Sequence, residues 1–587
     1  MRRSIKPIAT LCATVLMLLG LGDRAHAQTR QPDVHLTGDP SAGAAVASDD
    51  IAATQAAWDV LRRGGSAADA AIAAAFVMTV AMPDSASIAG AGTALRYDAK
   101  GRHISAYVAR EVSAASVDPA WLLREDGVEP YPLNGGRSVG APSFLAMAEM
   151  LHDEAGVLDW SLLVSDAVRI ARAGTPLTAE AAANLARIYL LAYSAANRFL
   201  GGSGADAPKA GAIIRNPELA DVLEAIGRDG PSVLAGGIVG QSIVRAIAET
   251  ERQPADMPLD ALAAATAVRS APDCVPLPYA ALCAPPAPTL GPTTLETVAV
   301  FAAAAPRAPS AFEWAHIMAQ SHRMAMVNAN QYLGDPMRFA DYMPALLTPA
   351  RVARRARRIA ANRNPGLAGA SRLADAPSGL VPAPFRDHRP PSASVVVVDR
   401  HGDAVALSMT LTKPFGSGIA ARGVLLNAAN AAFDAPVGKP GYVRANQLAP
   451  NKRPRLELAP VMALDQDRRL LLAAAAGGGD NAPAFIAKAV IAALAFGKSA
   501  EAAVGAPNIA SAARRTDLET KTAAERLEKP LVDIGHSVRL RRLASGLVLI
   551  VRLPDGFAAA ADPRNHGAAQ ATPRVDGVAL DSVGRGS

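Results

Sequence analysis

Residues 390–410 read PPSASVVVVDRHGDAVALSMT: a β-branched run, a short polar turn and a second apolar run. Four consecutive valines, Val395 to Val398, leave no polar face, so the first run fits a strand covered on both sides rather than one with a wet edge. DRHGD supplies a turn and AVALSMTL a returning strand, which makes a buried hairpin. Its first strand opens on Ser392, directly after Pro390 and Pro391. That serine is either a polar strand start or a nucleophile that becomes a chain end when the Pro391–Ser392 bond is cut.

Upstream, NPGLAGASRLADAPSGLVPAPFRDHRPP (364–391) is rich in Pro, Gly, Ala and Ser without periodicity, as expected of an exposed connector. Before it, RVARRARRIAANR (351–363) places Arg351, Arg354, Arg355 and Arg358 on one helical face, expected to be solvated or else to dock anions or a membrane. Downstream, LLAAAAGGGDNAPAFIAKAVIAALAFG (471–497) reads as strand, glycine cluster and helix. Nearer the N-terminus, residues 49–85 carry two helical patterns, the first ending at Gly64–Gly65 and the second N-capped by Ser66. Residues 86–111 switch to period two with a turn at Asp98–Gly101, and 140–174 return to helix. Helices and antiparallel strands alternate within one region, an α+β arrangement.

Half of the 587 residues are hydrophobic and 19% are charged, a globular balance. The net charge of +6 would permit acidic partners, but aromatics make up 4% and the arginines are scattered, so nucleic acid is not an expected partner. Arg2, Arg3 and Lys6 precede an apolar run and the small-x-small site Ala25–His26–Ala27. This is the pattern of a bacterial secretory signal cut after Ala27, giving an exported, periplasmic chain without a retained membrane span. Cys12 leaves with it, and Cys274 and Cys283 form either a local disulfide or two buried thiols. Neither CxxC nor HExxH is present, and no metal is expected.

Several blocks follow one another in a fixed order: LRRGGSAADAAIAAAF (61–76), AREVSAA (109–115), QYLGDP (331–336), VVDRHGDAVALSMT (397–410), FGSGI (415–419), GVLLN (423–427), PNKRP (450–454), GGGDN (477–481) and DPR (562–564). In that order they resemble gamma-glutamyltranspeptidases, which are N-terminal-nucleophile (Ntn) hydrolases, from about residue 43 to Arg564. The resemblance implies an αββα four-layer sandwich and a precursor that cuts itself into two subunits that stay together. On this chain it implies a signal peptide over 1–27, a large-subunit region over 28–391 and a small-subunit region over 392–587. The family's small subunit begins with a threonine seven residues before the aspartate of the VVD block; counting back from Asp399 reaches Ser392.

The resemblance assigns Ser392 as nucleophile, with its own α-amino group as base once Pro391 is released. The unperturbed pKa of that amine, roughly 7.7–8.0, suits the task near neutrality. Thr410 falls on the family threonine that hydrogen-bonds the nucleophile, and Gly478 and Gly479 on the pair whose N–H groups form the oxyanion hole. Arg110 falls on the arginine that anchors the substrate's α-carboxylate. Departures cluster elsewhere: Ala393 and Ser394 follow the nucleophile in place of threonine and histidine, and Thr412 replaces an asparagine. Ala432 replaces the acidic residue that holds the α-amino group, and Leu456 and Glu457 replace two serines. Glu457 is then either a substitute counter-ion or a solvated surface charge.

Three functions are compatible with these residues. The first is a gamma-glutamyltransferase or glutathione-hydrolase-like amidohydrolase that passes its acyl group to water or an amino-acid acceptor without a cofactor. The second is an acylase for acyl groups lacking the α-amino group. The third is a non-catalytic binding or scaffold protein on the same fold.

Overall fold

The computed structural model describes residues 42–123, 133–187, 208–366, 369–385 and 390–572. The signal-peptide expectation lies outside them. The strands that build the centre are β1 (Ala45–Ser48), β2 (Ala91–Asp98), β3 (His103–Ala109), β4 (Val268–Ser270), β5 (Asp273–Leu277), β6 (Ala280–Ala284), β7 (Ser392–Val398), β8 (Ala404–Thr410), β9 (Val461–Leu464), β10 (Leu470–Ala475), β11 (Val548–Leu553), β12 (Gly556–Ala561) and β13 (Ala568–Ala571). They form a seven-stranded sheet in the order β13-β1-β7-β8-β2-β3-β4 and a six-stranded sheet in the order β12-β11-β10-β9-β6-β5. Every pairing in both is antiparallel.

The valine run explains the layering. Val395 and Val397 belong to a core shared with helices α1 (Ile51–Arg62), α2 (Ala67–Ala81), α3 (Phe144–Ala155) and α4 (Trp160–Ala173). Val396 and Val398 belong to a second core with Met462, Ala473 and Val548 of the other sheet. Alternate side chains of one strand thus enter different layers, and each buried valine contributes roughly 1.5–3 kcal/mol. Beyond the second sheet a third core joins it to α5 (Gly291–Ala304), α6 (Ala311–Tyr332), α7 (Pro349–Ala356) and α8 (Ala482–Leu494). The result is the αββα sandwich that the resemblance implies. α2 shows how the sequence allows it: Ser66 and Asp69 form a capping box, and an alanine-rich, wholly buried helix lies close against β7 and β8.

Two expectations are corrected here. The arginine-rich helix ends at Ala356, and Arg355 is buried rather than solvated, bonded to Asn328 Oδ1 at 2.5 Å and 3.8 Å from Glu296. A carboxylate inside the third core needs that guanidinium, whereas Arg354 and Arg358 remain exposed. The connector is also less free than its composition suggests. Leu373 and Leu380 enter the third core, and Val381 N and Ala383 N donate to Val443 O and Asn330 O.

Candidate active site

Ser392 opens β7, a central strand, and faces Thr410 directly across the ladder. By the strand's alternation its side chain belongs with Ser394, Val396 and Val398, on the face turned to the second sheet. The Thr410 hydroxyl donates to the carbonyl of Pro391 at 2.8 Å and accepts from Thr412 N at 3.0 Å. A hydroxyl has one proton, so in this uncut chain Thr410 serves the carbonyl of the bond before Ser392 and not the Ser392 hydroxyl.

Ser392 Oγ is buried and has no hydrogen-bond partner among the described residues. A buried hydroxyl in that state costs about 1–3 kcal/mol, which calls for a reason. Its neighbour across the sheets is Gly477, where an added Cβ would lie 2.9 Å from Ser392 Oγ. Gly477 therefore supplies the room the hydroxyl occupies. The family pattern draws attention to the next two glycines and passes over this one.

Gly478 and Gly479 adopt left-handed backbone, with φ of 104° and 57°. A Cβ on Gly478 would come within 2.7 Å of the Phe485 ring, so both conformation and space demand glycine there. Among the described residues neither N–H is taken by a backbone or side-chain acceptor. The turn runs through Asp480 and Asn481 into α8.

His322 of α6 clamps this turn: its Nε2 lies 2.8 Å from Asp480 O, and its Nδ1 accepts from Ser511 N at 2.9 Å. The tautomer is fixed by its partners, with the proton on Nε2. Burial pushes the imidazole down to about 4, against a raising pull from Asp480 O, so it is neutral at working pH. No motif marks His322 in the sequence, because the contact joins α6 to a turn 158 residues away.

The predicted recognition residues come together in a closed network. Arg110 is fully buried and donates to Pro454 O (3.2 Å), Glu111 Oε2 (2.9 Å), Thr412 Oγ1 (2.9 Å) and Arg455 O (2.9 Å). The guanidinium expected to hold a substrate carboxylate is thus engaged by the protein itself through Nε, Nη1 and Nη2. Thr412 sits at φ 71°, a costly position for a β-branched residue and one found mainly at functional sites.

Glu457 is buried, which removes the solvated alternative; its Oε1 accepts from Arg455 Nε at 3.3 Å. Arg455 also reaches Asn330 Oδ1 (3.0 Å) and Asp480 Oδ1 (3.3 Å). Burial would lower the Arg455 guanidinium, but Asp480 and Glu457 outweigh it and hold its pKa above the ordinary value. Burial raises Glu111 despite the pull of Arg110. Ala432 and Leu456 are buried and bring no polar side-chain group.

Away from this cluster, Cys274 and Cys283 face each other across β5 and β6 and are joined by a disulfide. Among the described residues no group of three or more His, Cys, Asp or Glu side chains could hold a metal ion.

The chain is similar to known proteins in sequence and in fold. The family model described as Gamma-glutamyltranspeptidase matches residues 53–572. Glutathione hydrolase 7 of Mus musculus is 27% identical over 428 residues, covering 71% of this chain and 62% of its own. The chain therefore spans less than two thirds of that relative. The glutathione hydrolase proenzyme of Escherichia coli K12 is 26% identical over 537 residues, 89% of this chain and 90% of that one. Among solved structures, the cephalosporin acylase from Bacillus halodurans superposes with a TM-score of 0.78 at 19% identity, over 94% of this chain and 99% of that one.

Proposed function

This chain belongs to the gamma-glutamyltranspeptidase family, and on that premise we propose that it is an exported, self-processing amidohydrolase of the gamma-glutamyltransferase and glutathione-hydrolase kind, with Ser392 as nucleophile. The Ser392 hydroxyl carries the reading: it is buried, left without a partner among the described residues, and given space by Gly477, beside a peptide carbonyl already held by Thr410.

In maturation, Ser392 Oγ attacks the Pro391 carbonyl carbon. Charge develops on the carbonyl oxygen, where the Thr410 hydroxyl already donates. The C–N bond breaks as the nitrogen takes a proton, leaving an ester. Water then hydrolyses the ester, giving a Pro391 carboxylate and a free Ser392 amine. That amine becomes the base that takes the hydroxyl proton in turnover. The new oxyanion on a substrate amide would meet the Gly478 and Gly479 N–H groups. Water or an amino-acid acceptor would then resolve the acyl-enzyme.

A second reading keeps this chemistry for an acyl group without an α-amino group. It is favoured by Ala432 and Leu456 at the recognition positions and by an Arg110 whose donors the protein already uses.

The test is the intact mass of the exported protein beside Ser392→Ala. Two fragments meeting between Pro391 and Ser392, the larger beginning at Gln28, with an uncut variant, are expected. A single uncut chain in both would leave the non-catalytic alternative. Hydrolysis of gamma-glutamyl against amino-free acyl amides then separates the two substrate readings.

A further inference from the structure

At the end of the sandwich away from Ser392, four hairpins close on a cavity of about 330 Å³. Each brings an arginine to its wall: Arg102 from the β2–β3 turn, Arg400 from the β7–β8 turn, Arg469 from the β9–β10 turn and Arg552 from the end of β11. We propose that this cavity binds a phosphate-bearing small molecule. The proposal does not depend on the acyl-enzyme reading. Ser392 opens β7 and Arg400 lies beyond its other end, so seven strand residues at roughly 3.3 Å each hold the two about 20 Å apart.

The floor of the cavity is the end of the core between the two sheets. Tyr97 and Leu470 are buried there, with Ala99 and Phe557 partly buried against them. The Tyr97 hydroxyl donates to Arg468 O at 2.9 Å and ties the first sheet to a turn of the second. The space is therefore the open mouth of a packed layer, held by both sheets.

The wall carries surplus positive charge. Arg102, Arg469 and Arg552 are exposed and Arg400 is half-buried. Arg102 donates to Asp467 O at 3.2 Å, Arg400 donates to His401 Nε2 at 3.2 Å, and Arg469 lies 3.8 Å from the Asp467 carboxylate. Among the described residues no carboxylate pairs with Arg102, Arg400 or Arg552. Two carboxylates line the same space. Asp399 accepts from Ala67 N, His401 N and Asp403 N at 3.0, 2.8 and 3.2 Å, and Asp555 is exposed in the β11–β12 turn. Like charges gathered from four hairpins repel one another unless an anion joins them. Two of them also act on the floor: burial pushes the Tyr97 phenol up, and the Leu470 backbone, Arg102 and Arg552 pull against it.

Shape selects the kind of anion. A carboxylate offers two oxygens in one plane, whereas guanidinium groups arriving from four hairpins match the several oxygens of a tetrahedral phosphate, which carries about −1.5 to −2 charges near neutrality. A bare phosphate would leave most of the space empty. The volume is at the small end of ligand pockets, roughly 300–1,000 Å³, and the half-buried Phe557 ring offers an apolar wall to the substituent of a phosphate ester.

The test is calorimetry at fixed ionic strength and neutral pH, with phenyl phosphate as the probe. It compares the full exported protein, R102Q/R552Q and R354Q/R358Q, the last removing the same charge from another exposed face. The wild type and R354Q/R358Q should bind alike, and R102Q/R552Q should bind about tenfold or more weakly. An unchanged denaturant midpoint checks that R102Q/R552Q is folded; if it is not, Arg552→Gln alone takes its place. No binding by the wild type, or equal weakening in both double variants, would overturn the proposal. Benzoate binding as tightly as phenyl phosphate would overturn the choice of a phosphate, and inorganic phosphate doing so would overturn the choice of an ester. Vesicles of phosphatidylglycerol should not sediment the protein. Sedimentation that R102Q/R552Q loses, without binding of phenyl phosphate, would overturn the small molecule in favour of a lipid headgroup.

Discussion

Asp480 stands between two sets of arginines. Its Oδ1 accepts from Arg455, which with Arg110 is buried and bonded to carbonyls and carboxylates of the chain. The same residue lines a separate cavity that Arg514 and Arg515 border from exposed positions. A guanidinium inside the protein must have its donors met in the folded state, and once they are met it is part of the scaffold. An exposed one is hydrated at little cost and keeps its charge available to a ligand. The arginines that resemble the family's recognition group are thus the less available of the two sets.

The sharpest way to break this contrast is Arg455→Ala. It leaves the buried Glu457 and Asp480 carboxylates without that cation and should cost about 3–5 kcal/mol, read as a lower denaturant midpoint or as loss of soluble protein.

Thr410→Val and Gly477→Ala probe the chemistry between the two sets. Removing the Thr410 donor to the Pro391 carbonyl should slow self-cleavage by roughly 10²–10³-fold, followed as fragment appearance over time, with Thr410→Ser retaining most of the rate. A Cβ at Gly477 would force the Ser392 hydroxyl from its position, so Gly477→Ala should fold and remain uncut.

His322 gives a pH-dependent version. Its folded pKa of about 4 lies below the ordinary value of 6.5, so between those values the unfolded chain binds more protons. The stabilisation is therefore complete above about pH 6.5 and is lost as pH falls toward 4, with a ceiling on the order of 3 kcal/mol. The thermal midpoint of wild type should exceed that of His322→Gln at neutral pH, and the gap should close on acidification.

The smallest effect is expected at the exposed pair. Arg514→Gln should change stability by no more than about 0.5 kcal/mol, measured by chemical denaturation.

The elements and their α+β arrangement were legible because they depend on local patterns repeated along the chain, whereas the four layers came with the family resemblance. Four valines in a row announce a strand with two buried faces, and Ser66 with Asp69 caps a helix whatever lies nearby. The place of Ser392 at the head of that strand followed from the β-branched run, its match to the nucleophile's position from the family resemblance, and the glycine turn from its composition. What the side chains at the site do was not legible in the same way. Thr410 turned out to serve the Pro391 carbonyl, Arg110 to be consumed by Glu111, Thr412 and two carbonyls, and Glu457 to be buried on Arg455.

No motif marks His322, and GGGDN marks Gly477 and Asn481 without showing what they do, since each matters through a neighbour distant in sequence or through a partner it lacks. Periodicity and turn chemistry depend on residues within a few positions of one another, so the sequence by itself determines the elements and their order. Hydrogen-bond occupancy and charge compensation depend on what packing brings together, and only the tertiary structure decides which arginines belong to the scaffold and which stay exposed.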